Sequence, residues 1–232
     1  MPFHTVARLF APWRNTCVDN IELIVLATTK VGENALVVHT LSREHGRRGF
    51  LVRPGKKAGM ALFLPLNILE ADVVENPKSN LWGLKNILLK DGLQGIRGNL
   101  YKNTMTLFLS EVLFRTVRDG AFEDGLYEWC LGSILTLNEL ESDFSNFHIR
   151  FLLELAGALG FRPSFDDIAP FAKENLRDLK PFLERGFGES MLVPLSGASR
   201  NALCECLLQY LSYHTEQSIQ VKSLSVLREL YR

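Results

Sequence analysis

At 232 residues, 47% hydrophobic and 10% aromatic, the chain holds enough apolar surface for one large or two small packed domains, which excludes a disordered polymer. Its 26 basic residues balance 26 acidic ones, so any attraction to a polyanion has to arise from local asymmetry rather than from a whole-molecule field. Four scattered cysteines, Cys17, Cys130, Cys204 and Cys206, lack metal-site spacing and read as reduced packing thiols of a cytoplasmic protein. No apolar run is long enough to span a membrane, and the start of the chain lacks the layout of a secretory signal.

Residues 1–19 carry Phe3, Val6, Leu9, Phe10 and Trp13 at near-helical spacing, interrupted by Pro12, and form a leader without an assigned role. Three strand-like runs follow. Ile21 to Thr29 is rich in β-branched residues, Ala35 to Leu41 begins after the Val31-Gly32 break, and Arg47 to Arg53 runs until Pro54-Gly55. A two-residue period sets Arg47, Gly49, Leu51 and Arg53 on one side of the third run and Arg48, Phe50 and Val52 on the other. The same stretch holds the densest positive charge in the chain: Arg43, Arg47, Arg48, Arg53, Lys56 and Lys57 against the single acid Glu44. Those six are the candidate DNA-binding residues. The plainer alternative is a solvated hairpin that keeps a sheet edge soluble. Residues 1–80 hold 10 basic against 7 acidic residues, and residues 81–232 hold 16 against 19, which suits a basic module joined to an acidic one.

Leu66 to Val74 reads as a fourth strand. Leu81 to Lys90 is either the closing strand of a small barrel or the start of a helical region, because a short apolar run fits both. Five short strands in such a length fit a closed barrel of the OB type, which presents one sheet face and its loops to single-stranded nucleic acid. Beyond it the period turns helical: Thr104 to Asp119, Phe122 to Leu140, a helix capped by Ser145 and ended by Gly160 and Pro163, a helix introduced by Ser199, and a last one from Val221 to Tyr231. Between these, Ile168 to Gly188 contains Pro170, Pro181, Gly186 and Gly188 and predicts one short helix and an irregular turn. The expected fold is therefore α+β: a leader over 1–19, an OB barrel over 20–80 and a helical domain over 81–232.

The chain has no phosphate loop, no dinucleotide-binding turn, no HExxH helix and no nucleophile elbow. His4, His39, His45, His148 and His214 are far apart; His39 reads as half-buried in a strand, and His45 lies in the basic turn within reach of a phosphate. The acid pairs Asp166-Asp167 and Glu139-Glu141 suit helix ends better than acid-base chemistry. A binding protein is favoured over an enzyme.

The segments GENALVVHTLSREHGRRGFLVRPGKK, LPLNILEADVVENPKSNLWGLKNI, FLSEVLFRTVRDG, FHIRFLLELAGALGFRPS and YLSYHTEQSIQVKSLSVLREL, in that order, resemble the bacterial RecO recombination mediator family over about residues 20–232. The resemblance implies an OB barrel before a helical domain, binding of single- and double-stranded DNA, and annealing of complementary strands. It also implies cooperation with RecR and with the C-terminal tail of single-stranded-DNA-binding protein to load RecA, in the cytoplasm and at the nucleoid during repair. Many members carry a four-cysteine zinc site after a G-F-x-P segment; here Gly160-Phe161-Arg162-Pro163 is followed by no cysteine through Gly188, so neither zinc nor another cofactor is expected. The leader before residue 20 is longer than the family pattern. A helical protein-interaction adaptor with little direct DNA binding is the alternative function.

Overall fold

Strand β1, Cys17–Val31, serves two walls of a barrel at once. Its first half pairs antiparallel with β4, Ile68–Val74, and its second half pairs antiparallel with β2, Ala35–Ser42, with a register shift between Val25 and Ala27. Such a shift adds local twist and lets one strand turn a corner. The computed structural model describes residues 17–53, 59–75 and 81–230, the first three as backbone only. The leader up to residue 16, Lys56, Lys57 and Tyr231 lie outside the described residues. Strand β3, Gly46–Val52, completes a hairpin with β2, and β5, Trp82–Leu89, closes the barrel in the order β1-β2-β3-β5-β4. The β3–β5 contact is its parallel pairing, Phe50 opposite Trp82 and Leu51 opposite Gly83.

The expected barrel boundary at residue 80 is thus corrected: Trp82–Leu89 is barrel, and the chain leaves it near Lys90. Of the two readings left open for this run, pairing on both flanks selects the strand. The barrel interior is filled by alternate residues, among them Leu23, Val25, Val38, Phe50, Leu69 and Val73. Phe50 is fully buried there. The intervening Ile24, Leu26 and Leu41 face outward and join the core of the helices. This two-sided burial explains the continuous apolar run from Leu23 to Ala27 in the middle of β1.

The helical region begins with a short turn, α1 (Gln94–Arg97), followed by α2 (Leu100–Thr116), whose N-cap Asn99 accepts a hydrogen bond from the Lys102 backbone N–H at 3.2 Å. Helix α2 is buried on most of its circumference, as suits a central helix. Around it stand α3 (Leu126–Glu139), α4 (Phe147–Ala158), α8 (Gly197–Thr215) and α9 (Ser223–Leu230). Two caps differ from expectation. Ser145 lies inside a 3-10 turn, and Asn146 stands at the cap position of α4 without capping it; its amide donates instead to the carbonyls of Ser190, Met191 and Val193. Helix α8 is capped by Ser196, with the Ser199 backbone N–H as the donor to it at 3.0 Å.

The proline-rich stretch is more regular than predicted. It forms α5 (Phe165–Ala172), α6 (Leu176–Glu184) and α7 (Phe187–Met191), with Pro170 and Pro181 inside helices. A reciprocal pair of hydrogen bonds between Ser164 and Asp167 holds the start of α5, which gives one of the two acid pairs its role. Burial of Ile168, Leu179 and Phe182 against the main core offsets the missing proline donors. Cys130, Cys204 and Cys206 are buried packing residues. Arg228 on α9 pairs with Glu205 on α8.

Candidate nucleic-acid interface

The hairpin cations divide into two groups by what their guanidinium groups touch. Arg43 forms an ion pair with Glu128 on α3 and lies 5.1 Å from the centre of the Tyr127 ring. The Tyr127 hydroxyl donates to Glu22 of β1 at 2.5 Å, and Lys90 pairs with the same carboxylate. Burial alone would raise the Glu22 pKa, but the hydrogen bonds from Lys90 and Tyr127 hold it below the ordinary range. Burial and the bond to Glu22 push the Tyr127 phenol upward. Arg43 therefore belongs to a charged seam between barrel and helices.

Arg47 is also turned toward the helices. Its Nη1 donates to the Val117 carbonyl at 2.8 Å, and its guanidinium lies 4.4 Å from the centre of the Phe114 ring. Burial draws its pKa down, yet an arginine keeps its charge under such a shift. His39, from the neighbouring strand, meets Phe114 edge-on at 4.9 Å and has Nε2 3.2 Å from the Thr29 hydroxyl. Burial, then the nearby Arg47, lower its pKa, so the imidazole is neutral at neutral pH. The backbone reinforces this joint: the Gly120 N–H donates to the Arg47 carbonyl at 2.8 Å, and the Arg47 N–H donates to the Ala121 carbonyl at 3.3 Å.

Arg48 and Arg53 behave differently. The Arg48 guanidinium lies over Trp82, 3.4 Å from the ring centre, and among the described residues it makes no ion pair. Arg53 is exposed at the end of β3 and likewise has no carboxylate partner among the described residues. His45 packs edge-on against Trp82 at 5.4 Å, and burial followed by the charge of Arg48 lowers its pKa. It stands as a neutral ring supporting the Trp82 platform. Trp82 was not singled out from sequence, although an indole at the start of a closing strand is a usable signal. Among the described residues no cluster of His, Cys, Asp or Glu is arranged to hold a metal ion, and no helix is long and apolar enough to cross a membrane.

A closed five-stranded barrel of OB type, its hairpin arginines partly unpaired and its flank locked to a helical domain, defines a barrel-and-helix binding protein. Residues 19–92 match the family model for the recombination protein O N terminal, and residues 97–169 match that for the recombination protein O C terminal. The chain is 28% identical to the DNA repair protein RecO of Flavobacterium johnsoniae over 231 residues, covering 90% of this chain and 97% of the relative. The RecO proteins of Phocaeicola vulgatus and Bacteroides fragilis are also 28% identical, with the same coverage. The chain belongs to the RecO family of DNA repair and recombination proteins, which are mediators rather than enzymes.

Proposed function

We propose that this chain binds single- and double-stranded DNA through the basic residues in and after its second hairpin strand and anneals complementary strands. On this reading it acts with RecR to load RecA onto DNA coated by single-stranded-DNA-binding protein, in the cytoplasm and at the nucleoid during repair. The observation that carries the reading is Arg48, an arginine on an indole platform that makes no ion pair among the described residues. Arg53 is exposed just past the end of the same strand, and Lys56 and Lys57 follow within a few residues of chain. Phosphates would be held by charge alone, without sequence readout, and two strands neutralised together lose the repulsion that opposes annealing. Of the six expected contacts, Arg43 and Arg47 are committed to the joint between barrel and helices, so the DNA role falls on Arg48, Arg53, Lys56 and Lys57.

Replacing these four by alanine should weaken binding and flatten the dependence of log affinity on log salt by up to about 3, at about 0.7 per phosphate for a single strand. Fluorescence anisotropy across a salt series measures it. An unchanged slope would remove these residues from the interface.

The adaptor reading keeps its own support in the helical domain. A cavity of about 300 Å³ between α4 and α6 has Leu153, Pro163, Phe182 and Leu183 on its walls, with Arg162 and Arg185 beside them. The acids there are already matched, Glu154 by Arg150 and Glu184 by Lys180, which leaves Arg162 and Arg185 without an ion pair among the described residues. A mostly polar groove with a few apolar side chains on its walls and cations unpaired among the described residues at its edge suits the acidic, apolar tail of single-stranded-DNA-binding protein. Titrating the full chain with that tail peptide should give saturable binding that Arg162→Glu with Arg185→Glu weakens at least tenfold. Unaltered binding by the double variant would move the tail elsewhere.

A further inference from the structure

We propose that the cleft between the outer face of β2–β3 and the loop after α2 receives one unstacked nucleotide of a single DNA strand. The proposal rests on the DNA-binding reading and supplies it with a reason to prefer single strands. The cleft encloses about 510 Å³, within the roughly 300–1,000 Å³ of small-molecule sites. Val37 and Leu81 line it with apolar surface, Gly49 contributes backbone alone, and Arg48 and Asp119 contribute opposite charges.

The space exists because residue 49 is glycine. A Cβ there would stand 3.2 Å from Val37 Cγ1 and 3.4 Å from His39 Nδ1, so a longer side chain would occupy the cleft. His39 Nδ1 is buried and has no hydrogen-bond partner among the described residues. With Nε2 engaged by Thr29, that one ring nitrogen is left unfilled beside an apolar slot, as suits a group with a flat apolar body and polar edges. A nucleobase has that form. Arg48, stacked on Trp82, offers its charge to the phosphate of the same nucleotide. Asp119 repels phosphate, which orients the nucleotide with its backbone toward Arg48 and its base inward. A base within a duplex is already stacked on both faces and paired along its edge, so it enters only after leaving the helix.

The experiment compares three probes by anisotropy on the full chain: a short oligothymidine, an abasic strand of the same length, and a duplex. The native protein should prefer oligothymidine to the abasic strand by about tenfold, the effect expected for one buried base. Val37→Trp, which fills the cleft from a half-exposed wall, should abolish that preference while abasic and duplex affinities stay within about twofold. Gly49→Val tests the same space from the floor. If the native protein binds the two single strands equally, or if both filled variants keep the preference, the proposal is overturned. Saturable binding of free thymidine monophosphate without preference between strands would reassign the cleft to free nucleotides and overturn it too. Failure to bind any of the three probes would reject the DNA-binding reading itself, and the cleft proposal with it.

Discussion

Gly46→Ala is expected to lower the unfolding free energy by about 3 kcal/mol, from one methyl group, and to do so at the joint between barrel and helices. Two effects add. Gly46 has a φ of 58°, in the left-handed region, where an alanine is strained by roughly 1 kcal/mol. The larger effect is contact: the new Cβ would stand 2.0 Å from the Ala121 carbonyl oxygen, which is backbone and has no rotamer to yield. Relief requires the hairpin and the loop after α2 to part. That separation stretches the Gly120 to Arg47 and Arg47 to Ala121 backbone bonds and the Arg47 side-chain bond to Val117, each worth about 1 kcal/mol. Gly32→Ala is the matched control, since Gly32 has a φ of 63° and nothing within 4 Å of the added carbon. It should cost only the strain. Urea midpoints of the two variants measure the difference, and equal losses would show that the close approach at Gly46 contributes nothing. Amide exchange at Gly120 should accelerate in Gly46→Ala alone.

Gly46 also marks the limit of what the residues disclose when taken in order. Its turn was legible, because Glu44-His45-Gly46 interrupts two runs of period two. Its partner was not, because Ala121 is brought to it only by the docking of one domain on the other. The hairpin cations repeat the pattern. Their alternation along β3 was readable and places Phe50 and Val52 inside the barrel. Whether each arginine was free depended on Glu128, Val117 and Trp82, all distant in sequence. Strand β5 stayed ambiguous because a short apolar run carries no period long enough to separate strand from helix. Only one short helix was expected where α5, α6 and α7 stand, for the opposite reason: proline is a strong local breaker, and burial of Ile168, Leu179 and Phe182 outweighs it only once the neighbouring helices are in place. Local chemistry thus located the elements, while the seam that decides which cations remain available is a tertiary property.

Arg97→Met should destabilise the protein by about 3 to 5 kcal/mol, although the replacement matches the arginine in length and adds apolar character. Arg97 is half-buried, with no carboxylate within hydrogen-bond reach among the described residues. Nη1 donates to Asn103 Oδ1 at 2.7 Å, and Nη2 donates to the Pro65 carbonyl at 2.7 Å and to Asn67 Oδ1 at 2.6 Å. One planar group thus ties the turn before β4 to the start of α2. That turn contains Leu66, fully buried with a φ of 60°, a conformation a leucine adopts only when its surroundings enforce it. Arg97 bonds to the residues on both sides of Leu66, which makes it part of that enforcement. Methionine would leave three oxygens without the donor they face, each costing about 1 to 3 kcal/mol where water cannot replace it. Lysine should recover little, because one ammonium on a flexible stem cannot span the two sides as the guanidinium fork does. A double-mutant cycle with Asn67→Ala isolates the bond between the two side chains, and a coupling of about 1 kcal/mol or more is expected between such neighbours. If Arg97→Met loses less than about 1 kcal/mol in urea unfolding, water reaches the joint and the oxygens are solvated there. In that case the barrel is held to the helices by its apolar contacts, the Glu22–Tyr127–Arg43 seam and the Arg47 bonds to Val117, Gly120 and Ala121.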